Sequence, residues 1–172
     1  MQVDPQNPEF SLLTSSQHND IVGLMIPEFI PNGNLPPGVH WATWQGFVER
    51  FGFSPRRQEL IAGLKMAVDS LKAAGCKTVY INGSFVTSKD IPGDFDACWD
   101  PDGVDIDLLY AIEPALFSFE NKRAAQKAKF KGELFPASER ASSVVDVTFL
   151  EFFQIDRDGN RKGIVALDLG AM

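Results

Sequence analysis

The segment from Ser54 to Asp100 constrains the fold more than any other, because elements of two different periods follow one another in it with little linker. Ser54 is a good N-cap, Pro55 suits the first helical position and Gly75 marks the stop. Between them Leu60, Ile61, Leu64, Ala67, Val68 and Leu71 fall on one stripe of a helix. KTVYI, residues 77 to 81, is a β-branched run too short for anything but a strand. After Gly83 and Ser84 comes DFDACWD, residues 94 to 100, which sets Phe95, Ala97 and Trp99 against Asp94, Asp96, Cys98 and Asp100. That is the period of a strand with one apolar face, and it projects Asp94 and Asp96 from the same side, roughly 6 to 7 Å apart.

Residues 1 to 20 are polar and turn-rich without a sustained period and are expected to form a flexible arm, leaving 21 to 172 as a single domain. Pro27, Pro31, Pro36 and Pro37 exclude a long helix and favour an extended strap lying on a core. From Trp41 to Gly52 the spacing of Trp44, Phe47, Val48 and Phe51 predicts a short amphipathic helix. VDIDLLYAIEPALF fits either a short helix or a strand, ENKRAAQKAKFKG (120 to 132) predicts a basic helix, and SSVVDV a strand ending near Val147. Thr148 and Glu151 form a capping box for FLEFFQID, and DRDGN turns the chain into a last strand, GIVALDL.

Composition narrows function by exclusion. A net charge of −7 over 172 residues argues against a protein that coats DNA or RNA non-specifically, since that affinity comes from many Lys and Arg contacts to phosphate. No apolar run approaches the roughly 20 residues of a membrane helix, and the first residues lack the pattern of a signal peptide. A cytoplasmic protein without a membrane role is the expectation. Cys76 and Cys98 follow no metal-ligand spacing and are expected as buried thiols.

Among the motifs, GSFVTSK approaches a P-loop, but Ser88 stands where the second glycine belongs and Asp90 where the magnesium-binding hydroxyl belongs. DPDGVDID and DRDGN stack acidic residues around a glycine, yet that glycine comes too early for a calcium loop, and both read as solvated turns. Asp94 and Asp96 are different. Two carboxylates on one strand face repel each other unless a cation lies between them, and nucleotidyl transfer needs such a cation on the phosphate oxygens. Gly83 and Ser84 supply the complement, since glycine lets the backbone approach a triphosphate while a hydroxyl and free N–H groups donate to it. Lys122, Arg123, Lys127, Lys129 and Lys131 concentrate the positive charge. Lys127 and Lys131 lie four apart on one helix face, where they can steer a triphosphate or an RNA backbone.

A strand leading into Gly83 and Ser84, a short helix, and then a strand with Asp94 and Asp96 resembles the nucleotidyltransferase superfamily that includes DNA polymerase β and the minimal nucleotidyltransferases. The longer stretch from LPPGVHWATWQGFVERFG through INGSFVTSKDIPGDFDACWD to FLEFFQIDRDGNRKGIVALDL is similar to an uncharacterised bacterial and phage family of nucleotidyltransferase-like proteins, over roughly residues 26 to 170. The resemblance implies an α/β (α+β) nucleotidyltransferase fold, with a mixed, largely antiparallel sheet and helices packed on one side. It implies transfer of a nucleoside monophosphate from an NTP to a hydroxyl of a protein or a tRNA end, with pyrophosphate leaving. One or two Mg²⁺ ions would sit on Asp94 and Asp96, and Gly83 and Ser84 would hold the phosphates. Asp146 in VVDVTF would be the third carboxylate, as a metal ligand or as the base for the attacking hydroxyl. Asp168 is its fallback, while Asp105 and Asp107 lie too near the DPDG turn. Small relatives act in toxin-antitoxin or phage-defence pairs, which implies a protein partner. The chain departs from the pattern in lacking the loop's second glycine and in carrying Gly93 before Asp94 where serine is usual. Because the superfamily includes members that bind nucleotide without turning it over, a degenerate nucleotide-binding or partner-neutralising module is the alternative. A glycosyltransferase reading of Asp-x-Asp would need a larger nucleotide-binding domain.

Overall fold

The computed structural model describes residues 25–172, so the expected arm over residues 1 to 20 lies outside them. A five-stranded sheet runs in the order β1-β5-β2-β3-β4, with β1 Gly38–Ala42, β2 Thr78–Asn82, β3 Phe95–Trp99, β4 Gly132–Pro136 and β5 Gly163–Asp168. β2 is antiparallel to β3 and β5, whereas β1 is parallel to β5 and β4 is parallel to β3. The domain is α+β and the sheet mixed, but parallel and antiparallel pairings are equal in number, which corrects the expectation of a largely antiparallel sheet. Connectivity is the reason. The chain travels from β3 to β4 through α3 (Ile106–Ile112), a 3₁₀ turn (Pro114–Phe117) and α4 (Glu120–Phe130), and such a crossover returns the chain parallel.

The proline-rich strap enters the sheet as soon as Pro37 is passed, and Trp41 lies in β1 rather than in a helix. Helix α1 (Trp44–Phe51) starts later than the apolar spacing suggests because the Thr43 hydroxyl accepts from the Gly46 N–H at 3.1 Å and fixes the first turn there. Helix α2 (Pro55–Ala73) has the Ser54 cap and the buried stripe read from the sequence. A Cβ at Gly63 would come within 1.9 Å of the Phe130 carbonyl oxygen, so glycine there lets α2 lie directly on the end of α4.

One sheet face buries Val79, Ile81, Phe95, Ala97, Leu134 and Leu167 beneath α1 to α4. The opposite face is half covered: Cys98, Phe135 and Ile164 pack against Phe149, Leu150 and Phe153 around the single turn of α5 (Phe149–Phe152). β3 therefore has two apolar faces at its Trp99 end and a polar one only near Asp96. SSVVDV forms no strand; the Ser142 hydroxyl accepts from the N–H groups of Val144 and Val145 at 3.1 and 3.2 Å and folds it into a turn. Cys76 and Cys98 are buried free thiols. Among the described residues no helix is long and apolar enough to cross a membrane.

Candidate active site

Strand pairing lines up three polar side chains. Asn82 on β2 pairs with Asp96 on β3, and Asp96 pairs with Glu133 on β4. Directly paired neighbours project from one face, so the three form a row across the sheet. Asp94 stands just before β3 at the exposed end of the row. Gly83 follows Asn82 with φ at +79°, and a Cβ on it would meet Asp96 Oδ2 at 2.7 Å. Glycine is what allows the chain to leave β2 beside the carboxylate, and Ser84 then opens a 3₁₀ turn (Ser84–Val86).

The row is electrostatically uneven. Burial, followed by the charges of Asp94 and Glu133, pushes the Asp96 pKa up to about 6 against the pull of Lys162, and a hydrogen bond with Glu133 adds to the rise. Burial also pushes Glu133 upward, but hydrogen bonds from Lys127 and Arg123, and their charges, outweigh it and its net shift is downward. Lys127 Nζ and Arg123 Nε lie 2.8 and 3.0 Å from Glu133 Oε1. Asn82 is 6% exposed, and its Oδ1 is buried with no hydrogen-bond partner. An acceptor left so is costly.

The loop between Ser84 and Asp94 is held from beneath by two arginines of α2. Arg57 is fully buried, and its guanidinium donates to the carbonyls of Phe85 at 2.7 Å, Thr87 at 3.0 Å and Lys89 at 2.5 Å. Arg56 donates to the carbonyls of Pro92, at 3.3 Å, and Gly93. The strap closes the loop's other side, where the Ser88 N–H donates to the Gly33 carbonyl at 2.9 Å. The apolar stripe of α2 does not reveal these arginines. A usable signal was the pair of cations in a helix's first turn, where they oppose the macrodipole and call for another reason to be there.

Of the residues singled out by sequence, Gly83, Ser84, Asp94 and Asp96 stand together. Lys127 reaches the row through Glu133. Lys131 caps α4 with φ at +65°, its Nζ donating to the Ala128 carbonyl at 3.2 Å. Asp146 lies in the turn that replaces the expected strand, its side chain 95% exposed and 3.5 Å from Arg140 Nε. Asp168 pairs with Thr78, at the end of β2 opposite Asn82, and accepts from the Gly170 N–H at 2.9 Å. Asp105 caps α3 and Asp107 is exposed in its first turn. The carboxylate that does face Asp96 is Glu133, which the sequence did not mark because GELF follows a basic helix without a motif of its own.

Among the described residues no three His, Cys, Asp or Glu side chains converge into a preformed metal cage. The donors nonetheless suit Mg²⁺. All are oxygens, Asn82 Oδ1 lacks a partner, and this ion commonly takes only one or two protein carboxylates and completes its shell with water and phosphate.

A family of unknown function (DUF6932) matches residues 27–168, and the chain belongs to that family. No curated protein and no solved structure matches it.

Proposed function

We propose that this member of the family is a Mg²⁺-dependent nucleotidyltransferase that moves a nucleoside monophosphate from an NTP to a hydroxyl, on the nucleotidyltransferase fold its motifs resemble. The supporting observation is the register that aligns Asn82, Asp96 and Glu133 directly beside the Gly83 turn. Mg²⁺ on Asp94 and Asp96 would neutralise charge on the transferring phosphate. Ser84 and the loop N–H groups donate to the outer phosphate oxygens. Arg57, by engaging only carbonyls, fixes the loop's shape without using its N–H groups, of which that of Ser88 is already held by the Gly33 carbonyl. Glu133, rather than Asp146, takes the third carboxylate's role: Lys127 and Arg123 keep it ionised, so it can accept a hydrogen bond from the attacking hydroxyl and orient it. The acceptor would be a protein or RNA hydroxyl, in a toxin-antitoxin or phage-defence pair.

One observation favours a second reading, a module that binds nucleotide without turnover. Glu133 already carries two cations, which leaves it less available to a substrate. Calorimetric titration of ATP, GTP, CTP and UTP, with and without Mg²⁺, into wild type and the Asp94→Asn, Asp96→Asn double variant tests both. Metal-dependent binding that disappears in the double variant, together with pyrophosphate release, supports the enzyme. Binding without release, when protein and RNA hydroxyl acceptors are supplied, supports the module, and no binding of any of the four rejects both.

A further inference from the structure

We propose that the aromatic cavity beside the ends of β3 and β4 is the seat of a nucleobase, an inference that rests on the nucleotide-dependent reading above and adds where the base lies. The cavity encloses about 520 Å³ and is lined chiefly by Trp99, Ile106, Phe117, Phe119, Phe135 and Phe149. That volume suits a small organic ligand. Its walls are flat: the rings of Phe119 and Phe135 are within 17° of parallel with centroids 6.2 Å apart, and Phe149 stacks on Phe135 at 4.0 Å. Phe119 at the rim is 42% exposed. Every base offers a π face to such walls. Trp99, 1% exposed, forms part of the wall, and its buried indole N–H has no partner.

Arg123 ties the cavity to the acidic row. Its Nε is 3.0 Å from Glu133 Oε1 and its guanidinium carbon is 5.3 Å from the centre of the Phe135 ring. It ends a run of three left-handed residues, Asn121, Lys122 and Arg123, with φ from +50° to +61°. Side-chain-bearing residues adopt that conformation at a cost, and such strain gathers where a ligand is handled. Glu133 and Phe135 are two residues apart on one strand, so roughly 7 Å separates them. A base on the exposed ring of Phe119, beside the edge of Phe135, would carry its ribose back toward Glu133 and Asp96. A tyrosine ring bears its hydroxyl directly and cannot span both.

The base belongs either to the NTP or to an acceptor nucleoside, and one experiment separates the two. In EDTA, without phosphate, the ¹⁵N-indole resonance of Trp99, assigned with Trp99→Phe, is followed on the full chain as adenosine, guanosine, cytidine and uridine are added. At least one nucleoside is expected to shift it saturably. Phe119→Ala should weaken that affinity by roughly tenfold with the melting temperature unchanged, and Phe119→Trp should restore it. An α,β-methylene NTP with Mg²⁺ is then added: displacement of the nucleoside assigns the seat to the NTP's base, and simultaneous binding assigns it to the acceptor. No shift with any nucleoside, a shift indifferent to Phe119→Ala, or a shift produced only by an aromatic peptide overturns the proposal. Since metal and triphosphate are absent from the first step, its failure is distinct from failure of NTP binding at Asp94 and Asp96.

Discussion

The loop that precedes Asp94 and the loop that carries Asp146 are built on opposite plans. The loop of residues 84 to 93 hangs its carbonyls on a guanidinium that solvent does not reach. The loop of residues 138 to 148 is closed by its own backbone, Ala141 N–H to Val147 O at 2.9 Å, and by the Arg140 and Asp146 pair, with Val144 89% exposed. A loop that must keep one shape while a polyanion enters and leaves is best fixed from the core, where its bonds do not compete with water. The second loop has no such anchor, and its carboxylate is correspondingly less able to hold a position.

Removing the anchor should give the largest effect. Arg57→Leu deletes the donors to three loop carbonyls and to that of Phe51 and is expected to cost about 3 to 4 kcal/mol of stability, a melting temperature lower by roughly 10 °C. NTP binding should vanish with it. Arg57→Lys should recover little, because one ammonium cannot span the three carbonyls that a planar fork reaches. A thermal shift of only a degree or two would show that the two loops are held alike.

The acidic row gives the next contrast, between residues whose loss moves function and stability in different directions. Asp94→Asn with Asp96→Asn should abolish Mg²⁺-dependent NTP binding while leaving the melting temperature unchanged or raised, since like-charge repulsion goes with the charges. Glu133→Gln should also impair turnover yet lower stability by about 1 kcal/mol, because Arg123 and Lys127 lose a largely buried partner. Were the double variant strongly destabilised instead, the aspartates would be structural.

Asp96 also makes the row sensitive to pH. Its pKa of about 6 in the folded protein lies above the value of about 3.9 for an unfolded chain. The folded state therefore holds that proton more tightly; its contribution is whole below pH about 4 and is lost as pH rises through about 6. In EDTA, wild type should lose roughly 1 kcal/mol relative to Asp96→Asn between pH 5 and pH 7. Mg²⁺-dependent binding should run the other way and weaken below pH about 6, where proton and metal compete.

What could be read in the sequence was whatever lies within one element or one turn. The Ser54 cap, the α2 stripe, the Thr148 and Glu151 box, and the juxtaposition of Gly83 with Asp94 and Asp96 are all of this kind. What escaped depends on pairing between strands distant in sequence. Glu133 acquires its meaning only from the β3 and β4 register. Arg57 acquires its own from carbonyls about thirty residues away. Asp146 sits in a β-branched run that looked like a strand, but a serine hydroxyl captured the N–H groups such a strand would have offered to a neighbour.

Asp146 should consequently show the smallest effect of all. Its side chain is 95% exposed and its partner Arg140 60% exposed, a geometry in which an ion pair adds almost nothing. Asp146→Asn is expected to leave the melting temperature, the NTP affinity and any pyrophosphate release at wild-type values, measured beside Glu133→Gln under the same conditions. If Asp146→Asn instead stops release while binding persists, the second loop must swing onto the row when nucleotide is present. Glu133 would then be a support for its two cations rather than the third carboxylate. The side-by-side assay separates the loop that is rigid by construction from one that would become ordered only on its substrate.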